Sequence, residues 1–268
     1  MQKVMIKIGG STVNSIGFLS EMAKGIYDLQ KEGFGVCVVH GGGKDINEEL
    51  ARLNKDFLFV DGQRVTDEET MSAVQRVLSG DVNKSIVNEL LKRKVNAVGI
   101  SGVDANTAVA KKLRSVSGED LGFVGEVERV NTKLLDLLYE NGFVSVISPV
   151  SRDDAGNIYN INADGAASEI AAALKIDCLI FVSDVSGVKI EGKTARKIKT
   201  EEIPDLIKRG EITGGMIPKL NGAAEAIAKG VKQVHICGWD GEKTLSREMS
   251  EAALGTTVYS SNTTPLSM

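Results

Sequence analysis

Residues 36–43 read Val-Cys-Val-Val-His-Gly-Gly-Gly. Four consecutive apolar positions without alternation describe a strand buried on both faces, and three glycines mark the turn into the helical pattern that follows at 45–53. The same construction recurs along the chain. Val4–Ile8 ends in Gly9-Gly10, Ala97–Ile100 in Ser101-Gly102, and Val144–Ile147 in Ser148-Pro149. Cys178–Val182 ends in Ser183-Asp184, and Val234–Cys237 in Gly238. Between these runs, helical periodicity covers about 19–32, 45–53, 67–79, 83–93, 132–140, 163–174, 201–209 and 219–229. Apolar strands alternating with helices predict an α/β fold, a mainly parallel open sheet covered on both faces. In such sheets ligands bind beyond the carboxyl ends of the strands, where the glycines fall.

Two segments break the rhythm, 108–130 and 153–161. Residues 122–130, Gly-Phe-Val-Gly-Glu-Val-Glu-Arg-Val, alternate apolar and polar as a solvent-facing hairpin strand does. Ser260–Met268 reads as a loose tail. With 268 residues the chain has room for one large domain or two lobes. A net charge of −4 gives no footprint for nucleic acid. Cys37, Cys178 and Cys237 lie far apart and form no ligand spacing, so neither a disulfide framework nor a zinc site is expected. No run of about 18 apolar residues suits a membrane, and a reducing, cytoplasmic setting follows as the expectation.

One octapeptide tests the reading. Gly187-Val-Lys-Ile-Glu-Gly-Lys-Thr194 fits the G-x-x-x-x-G-K-[ST] phosphate-loop pattern letter for letter. A true phosphate loop opens a helix at its Lys-Thr. Here the better helix start is Thr200-Glu201-Glu202-Ile203-Pro204, and Glu191-Gly192 looks like the turn of a hairpin. The match is therefore read as accidental.

Lys7-Ile8-Gly9-Gly10 and His40-Gly41-Gly42-Gly43 are better placed for phosphates, because glycine lets backbone N–H groups approach an anion. An esterase reading of HGGG fails for want of a Gly-x-Ser-x-Gly elbow. His235 lies within a strand-like run and reads as a core residue. Three more segments carry chemistry-bearing residues. Arg64 precedes a capping box expected from Thr66 and Glu69. Asn160-Ile-Asn-Ala-Asp164-Gly opens a helix with a small-residue face, and Gly214-Gly-Met216-Ile-Pro-Lys219 opens another.

Taken in order, KIGG at 7–10, HGGG at 40–43, GQRVTDEETM at 62–71, LGFVGEVERVN at 121–131, NINADGAA at 160–167, SDVSGV at 183–188 and GGMIPK at 214–219 resemble the amino-acid kinase family, and within it the branch acting on N-acetyl-L-glutamate. The resemblance covers residue 3 to about 258. It implies a three-layer αβα sandwich of two lobes, with acetylglutamate and dimer contacts at 1–177 and ATP at 178–268. It implies transfer of a phosphoryl group from ATP, with Mg2+ carried by the nucleotide, to the side-chain carboxylate of acetylglutamate in arginine biosynthesis. Lys7 and Lys219 would flank the transferred group, Asp164 would hold both, and Gly9, Gly10, Gly42 and Gly43 would complete the clamp. Arg64 would grip the substrate α-carboxylate, and Asn160 its backbone or acetamide. Ser183, Asp184, Gly187, Gly214 and Met216 would lie beside the nucleotide. No metal ligand set of the protein's own is implied.

The nearest rival within the family acts on aminoadipate, carrier-linked or N-acetylated, in lysine biosynthesis. GQRVTD and LGFVGEVERVN look like the acetylglutamate type. A non-catalytic sensor on the same fold is expected to have lost one of the phosphate-facing cations, yet Lys7, Lys219 and Asp164 are all present. Arginine-inhibited relatives carry an extra N-terminal helix that links dimers into a hexamer. The first strand begins here around Lys3, so an arginine-insensitive homodimer is expected.

Overall fold

The first strand, Lys3–Ile8, has Val4, Met5, Ile6 and Ile8 without any exposed surface, so it can only lie inside a sheet covered on both sides. The computed structural model describes residues 2–9 and 17–262. Within them, Lys3–Ile8 is central to an eight-stranded sheet. On one side it pairs in parallel with Gly35–His40, followed by Val144–Ser148 and Ala97–Ser101. On the other it pairs in parallel with Cys178–Ser183, followed by Gln233–Gly238. Thr256–Tyr259 runs antiparallel to Gln233–Gly238 and carries Lys197–Lys199 beyond it. The expected boundary at 177/178 therefore falls within one continuous sheet, because Val4 registers with Cys178 and Ile8 with Val182.

Alternation along the central strand divides the apolar interior in two. Val4, Ile6 and Ile8 face a core with the helices Phe18–Lys31 and Asn83–Lys92. Met5 faces a second core with Ala163–Ala173 and Met216–Ala228. The first of that pair is rich in alanine, and buried Ala166, Ala167 and Ala171 let it lie close to the sheet and to its neighbour. Lys7 points to the same side as Met5, toward the start of these two helices.

Three local differences from the sequence reading have physical causes. Val124–Val130 pairs antiparallel with Ala108–Lys112, as a hairpin strand should. It also pairs in parallel with Ile158–Ile161, and Val150–Arg152 closes the four strands into a ring. Val127 and Val130 pack toward the second core while Glu126, Glu128 and Arg129 face water, and the bulge opposite Val109 and Ala110 leaves Glu128 and Arg129 exposed in succession. The helix after residue 75 continues through a π-helical turn, Arg76–Val82, before Asn83–Lys92. A short helix, Thr244–Glu248, was not foreseen.

The octapeptide forms a hairpin. Lys189–Ile190 pairs antiparallel with Lys193–Thr194, and Glu191 and Gly192 turn between them at φ of 50° and 78°, the left-handed pair that a tight two-residue hairpin requires. The next helix begins at Thr200–Glu202 and Ile203–Lys208, with Pro204 in its first turn. No helix among the described residues is long and apolar enough to cross a membrane.

One buried polar cluster lies under the Gln233–Gly238 strand. His235 and Glu248 have no exposed surface, with Nδ1 3.6 Å from Oε2. Glu248 also accepts from the Leu254 N–H at 2.9 Å and the Gly255 N–H at 3.2 Å. Burial alone would lower the His235 pKa, but contact with the Cys178 sulfur and the Glu248 carboxylate raises it to about 10 from the ordinary 6.5. A group whose pKa is raised on folding stabilises fully below its unfolded value and ceases to do so above its folded one. The melting temperature of the protein should therefore decline from about pH 6.5 toward pH 10, whereas a His235→Asn variant should lack that component. Superimposable pH profiles for the two proteins would contradict the pairing.

Candidate active site

The parallel strands all end at one edge of the sheet, and the chemistry-bearing segments collect there. Lys7 is the penultimate residue of its strand, with Val39 and Phe181 as register neighbours. Its side chain is buried, and Nζ lies 2.6 Å from Asp164 Oδ1. Asp164 is the second residue of the helix Ala163–Ala173. Asn162 caps that helix, accepting from the N–H groups of Asp164 at 2.9 Å and Gly165 at 3.1 Å. Lys219, in the first turn of Met216–Ala228, donates to Asp164 Oδ2 at 3.2 Å. Each carboxylate oxygen thus holds one ammonium.

This triad explains its own electrostatics. Burial alone would raise the Asp164 pKa, yet the Lys7 and Lys219 ammonium groups outweigh it and hold the carboxyl below its usual range. The pair of cations would repel each other without the shared anion. A cleft of about 510 Å³ opens beside Asp164 and Lys219, walled by Gly125, Asn162 and Gly215 among others.

The glycine loops divide in role. The Gly9 N–H donates to the Val182 carbonyl at 3.2 Å and the Gly41 N–H to the Ile8 carbonyl at 2.9 Å, so both extend the sheet ladder. Gly9 therefore cannot offer that N–H to a phosphate while the bond persists, contrary to its expected part in the clamp. Gly10 lies outside the described residues. At Gly42 a Cβ would come within 2.5 Å of a Leu78 methyl, leaving no room for a side chain. Gly43 opens the helix Gly43–Arg52, which has no side-chain cap, so its first N–H groups are the donors a helix leaves unmatched. His40 is fully buried, and burial pushes its pKa down to about 4. Its Nδ1 lies 2.8 Å from the Gly41 carbonyl, so the neutral ring donates there.

Arg64 lies on the hairpin Phe59–Val60 and Gln63–Arg64, nearly buried. Nη2 donates to the Gly43 carbonyl at 3.2 Å and to Asn47 Oδ1. The Phe57 and Phe59 ring centroids each lie 4.8 Å from its Cζ. Nη1 is shielded from solvent and has no hydrogen-bond partner among the described residues. The expected capping box shifts by one residue. Asp67 is the cap, accepting from the Thr70 N–H at 2.8 Å. Thr66 instead donates from Oγ1 to the Arg64 carbonyl at 2.7 Å and accepts from Asn160 Nδ2 at 3.3 Å. Arg64 and Asn160 are thereby joined through one buried hydroxyl.

The nucleotide-side residues are spread more widely. Ser183 ends its strand and donates to Asp184 Oδ1 at 3.0 Å. Both line a second cavity of about 490 Å³ with Gly238, Trp239 and Arg247, which none of Lys7, Asp164 and Lys219 lines. Gly214 has a φ of 57° just before the helix that Met216 opens. Gly187 and Met216 line neither cavity. Asn47, Phe57 and Phe59 were not singled out from the sequence. An asparagine on a helix and two loop phenylalanines carry no pattern that ties them to Arg64.

A sequence profile described as the amino acid kinase family matches residues 2–238. The chain is 44% identical over 242 residues to the acetylglutamate kinase of Chlorobaculum tepidum, covering 90% of this chain and 84% of that protein. It is 36% identical over 264 residues to the acetylglutamate kinase of Clostridioides difficile, covering 97% and 91%. Among solved structures, smu.665 from Streptococcus mutans UA159 superposes with a TM-score of 0.80 at 28% identity, covering 96% of this chain and 98% of that one.

Proposed function

The chain belongs to the amino acid kinase family, and from that premise we propose that it phosphorylates the side-chain carboxylate of N-acetyl-L-glutamate with ATP. The product is the acyl phosphate, formed in arginine biosynthesis, and the enzyme is proposed to work as a homodimer in the cytoplasm. Two relatives named acetylglutamate kinase, each aligned over most of its length, support the acceptor. The observation that carries the chemistry is Asp164 holding Lys7 on one oxygen and Lys219 on the other.

The acceptor carboxylate is already ionised at neutral pH, so no base is needed. Its oxygen forms the new bond to the γ-phosphorus as the bond to the β–γ bridging oxygen breaks and ADP leaves. The obstacle is electrostatic. Two unit charges about 4 Å apart, at an effective dielectric near 20, repel by roughly 4 kcal/mol. Lys7 and Lys219 would offset that repulsion and follow the charge as it spreads in transfer. Asp164 fixes both in place before substrates bind. Gly42 and Gly43 would add backbone donors, Arg64 would take the α-carboxylate through Nη1, and Asn160 would take the amino-acid backbone or acetamide. We assign acetylglutamate to residues 1–177 and ATP to 178–268, beside Gly187, Gly214 and Met216. Magnesium would be carried by the triphosphate, as it usually is where it bridges substrate phosphates.

Hydroxylamine trapping of the acyl phosphate tests the acceptor. Acetylglutamate should yield hydroxamate at least about 10-fold faster than aminoadipate or aspartate, a margin worth about 1.4 kcal/mol. Preference for aminoadipate would move the enzyme to the lysine branch. ATP consumption indifferent to every acceptor would remove the proposal.

A further inference from the structure

We infer that Asn47 is a positioning residue for acceptor recognition, aiming the Arg64 guanidinium so that Nη1 meets a carboxylate. The inference rests on the proposed grip of Arg64 on the acceptor. Gly43 and Asn47 are four residues apart on one helix and so share a face. From that face the Gly43 carbonyl and Asn47 Oδ1 both take hydrogen bonds from the same nitrogen, Nη2. A guanidinium has donors only, so the asparagine must present its oxygen.

The remaining constraints on Arg64 act in a different direction. The Phe57 and Phe59 ring centroids lie 4.8 Å from Cζ, and the two rings stand edge-to-face at 86°, so the guanidinium can lie flat against only one of them. Cation–π attraction holds the charge over a ring but offers no acceptor that selects one N–H over another. Both rings are also more than two-fifths exposed, at 42% and 49%, so they do not close the site around the arginine. The in-plane angle is set by Gly43 and Asn47 at Nη2. What this leaves over is Nη1, a buried donor without a partner among the described residues. Buried donors are almost always matched, and a carboxylate accepting from a guanidinium is the natural complement. Losing Asn47 should spare the charge and the contacts with the two rings but loosen the aim. The loss should appear in acceptor binding, not in the handling of ATP.

A double-mutant cycle on the full-length enzyme tests this. Asn47→Ala should raise KM for acetylglutamate about 10-fold, leaving KM for ATP and kcat within about threefold. In an Arg64→Ala background the same change should add less than about twofold, because no guanidinium remains to orient. A merely structural role would lower the melting temperature and shift all three constants together, and it would persist without Arg64. The inference is overturned if Asn47→Ala leaves the acceptor KM within about twofold of wild type, or if its full factor survives in the Arg64→Ala background. Should the alanine variant melt early, Asn47→Ser also cannot reach Nη2 and gives the same readout. A wild-type enzyme that does not use acetylglutamate overturns the proposed function and this inference with it. An active wild type with an unaffected Asn47→Ala overturns only the role of Asn47.

Discussion

Asp164→Asn is expected to lower kcat by about 10²-fold or more while the protein still folds. The amide keeps the shape and the Asn162 cap on the helix but removes the anion that Lys7 and Lys219 share. Two ammonium groups left facing one neutral amide would repel and turn apart, and the site would lose its alignment before substrates arrive. The pH dependence gives a second reading of the same residue. The Asp164 carboxyl is held below its usual range because the two lysines outweigh the burial that opposes them. Its stabilising contribution is therefore present above the unfolded carboxylate value, about 4, and is lost as pH falls through the lower folded value. The acid limb of kcat attributable to Asp164 should accordingly lie below that value, and the asparagine variant should lack it. Turnover of Asp164→Asn within about threefold of wild type would show that the carboxylate is not what aligns the cations.

Lys7→Ala and Lys219→Ala carry the other large effect, each about 10²- to 10³-fold in kcat. The two should not be equivalent in stability. Lys7 is the more buried, with 10% side-chain exposure against 22% for Lys219, and it makes the shorter contact with Asp164. Removing it leaves a mostly buried carboxylate with one partner, so Lys7→Ala should melt earlier than Lys219→Ala. Lys7→Arg should not rescue, because a planar guanidinium is bulkier than the ammonium packed beside Asp164 and points its donors differently. Equal, small effects on both kcat and melting temperature would place the lysines outside the chemistry.

The strands and their glycine ends were legible because burial on both faces forces unbroken apolar runs, and Val36–Val39 and Cys178–Val182 could be little else. The hairpin at 189–194 was legible for a different reason. Glu191-Gly192 suits left-handed turn geometry, and the flanking residues alternate. What remained hidden was mostly partnership across distance. Nothing local in Val124–Val130 says that Ile158–Ile161 lies beside it or that Val150–Arg152 closes the ring. The segment around the π-helical turn at Arg76–Val82 reads as two helical patterns, 67–79 and 83–93, because Ser79, Gly80 and Asp81 interrupt the apolar spacing, whereas the backbone runs on without a break. Thr66 and Asp67 are both good caps, and the choice between them was made by Thr66 bonding back to Arg64. At the site, Lys7, Asp164 and Lys219 were named from the resemblance, and the fold brings them onto one carboxylate. The supports of Arg64 were not named, because Asn47, Phe57 and Phe59 acquire their meaning only once the guanidinium is placed among them.

The central claim is that two lysines steered by one aspartate supply the chemical step and not merely nucleotide affinity. Rapid-quench single turnover, with enzyme in excess over ATP and saturating acetylglutamate, measures that step without product release. Lys7→Ala and Lys219→Ala should each slow acyl phosphate formation by about 10²-fold or more while ATP dissociation constants change less than about 10-fold. Single-turnover rates close to wild type, with the whole defect residing in ATP binding, would contradict the account.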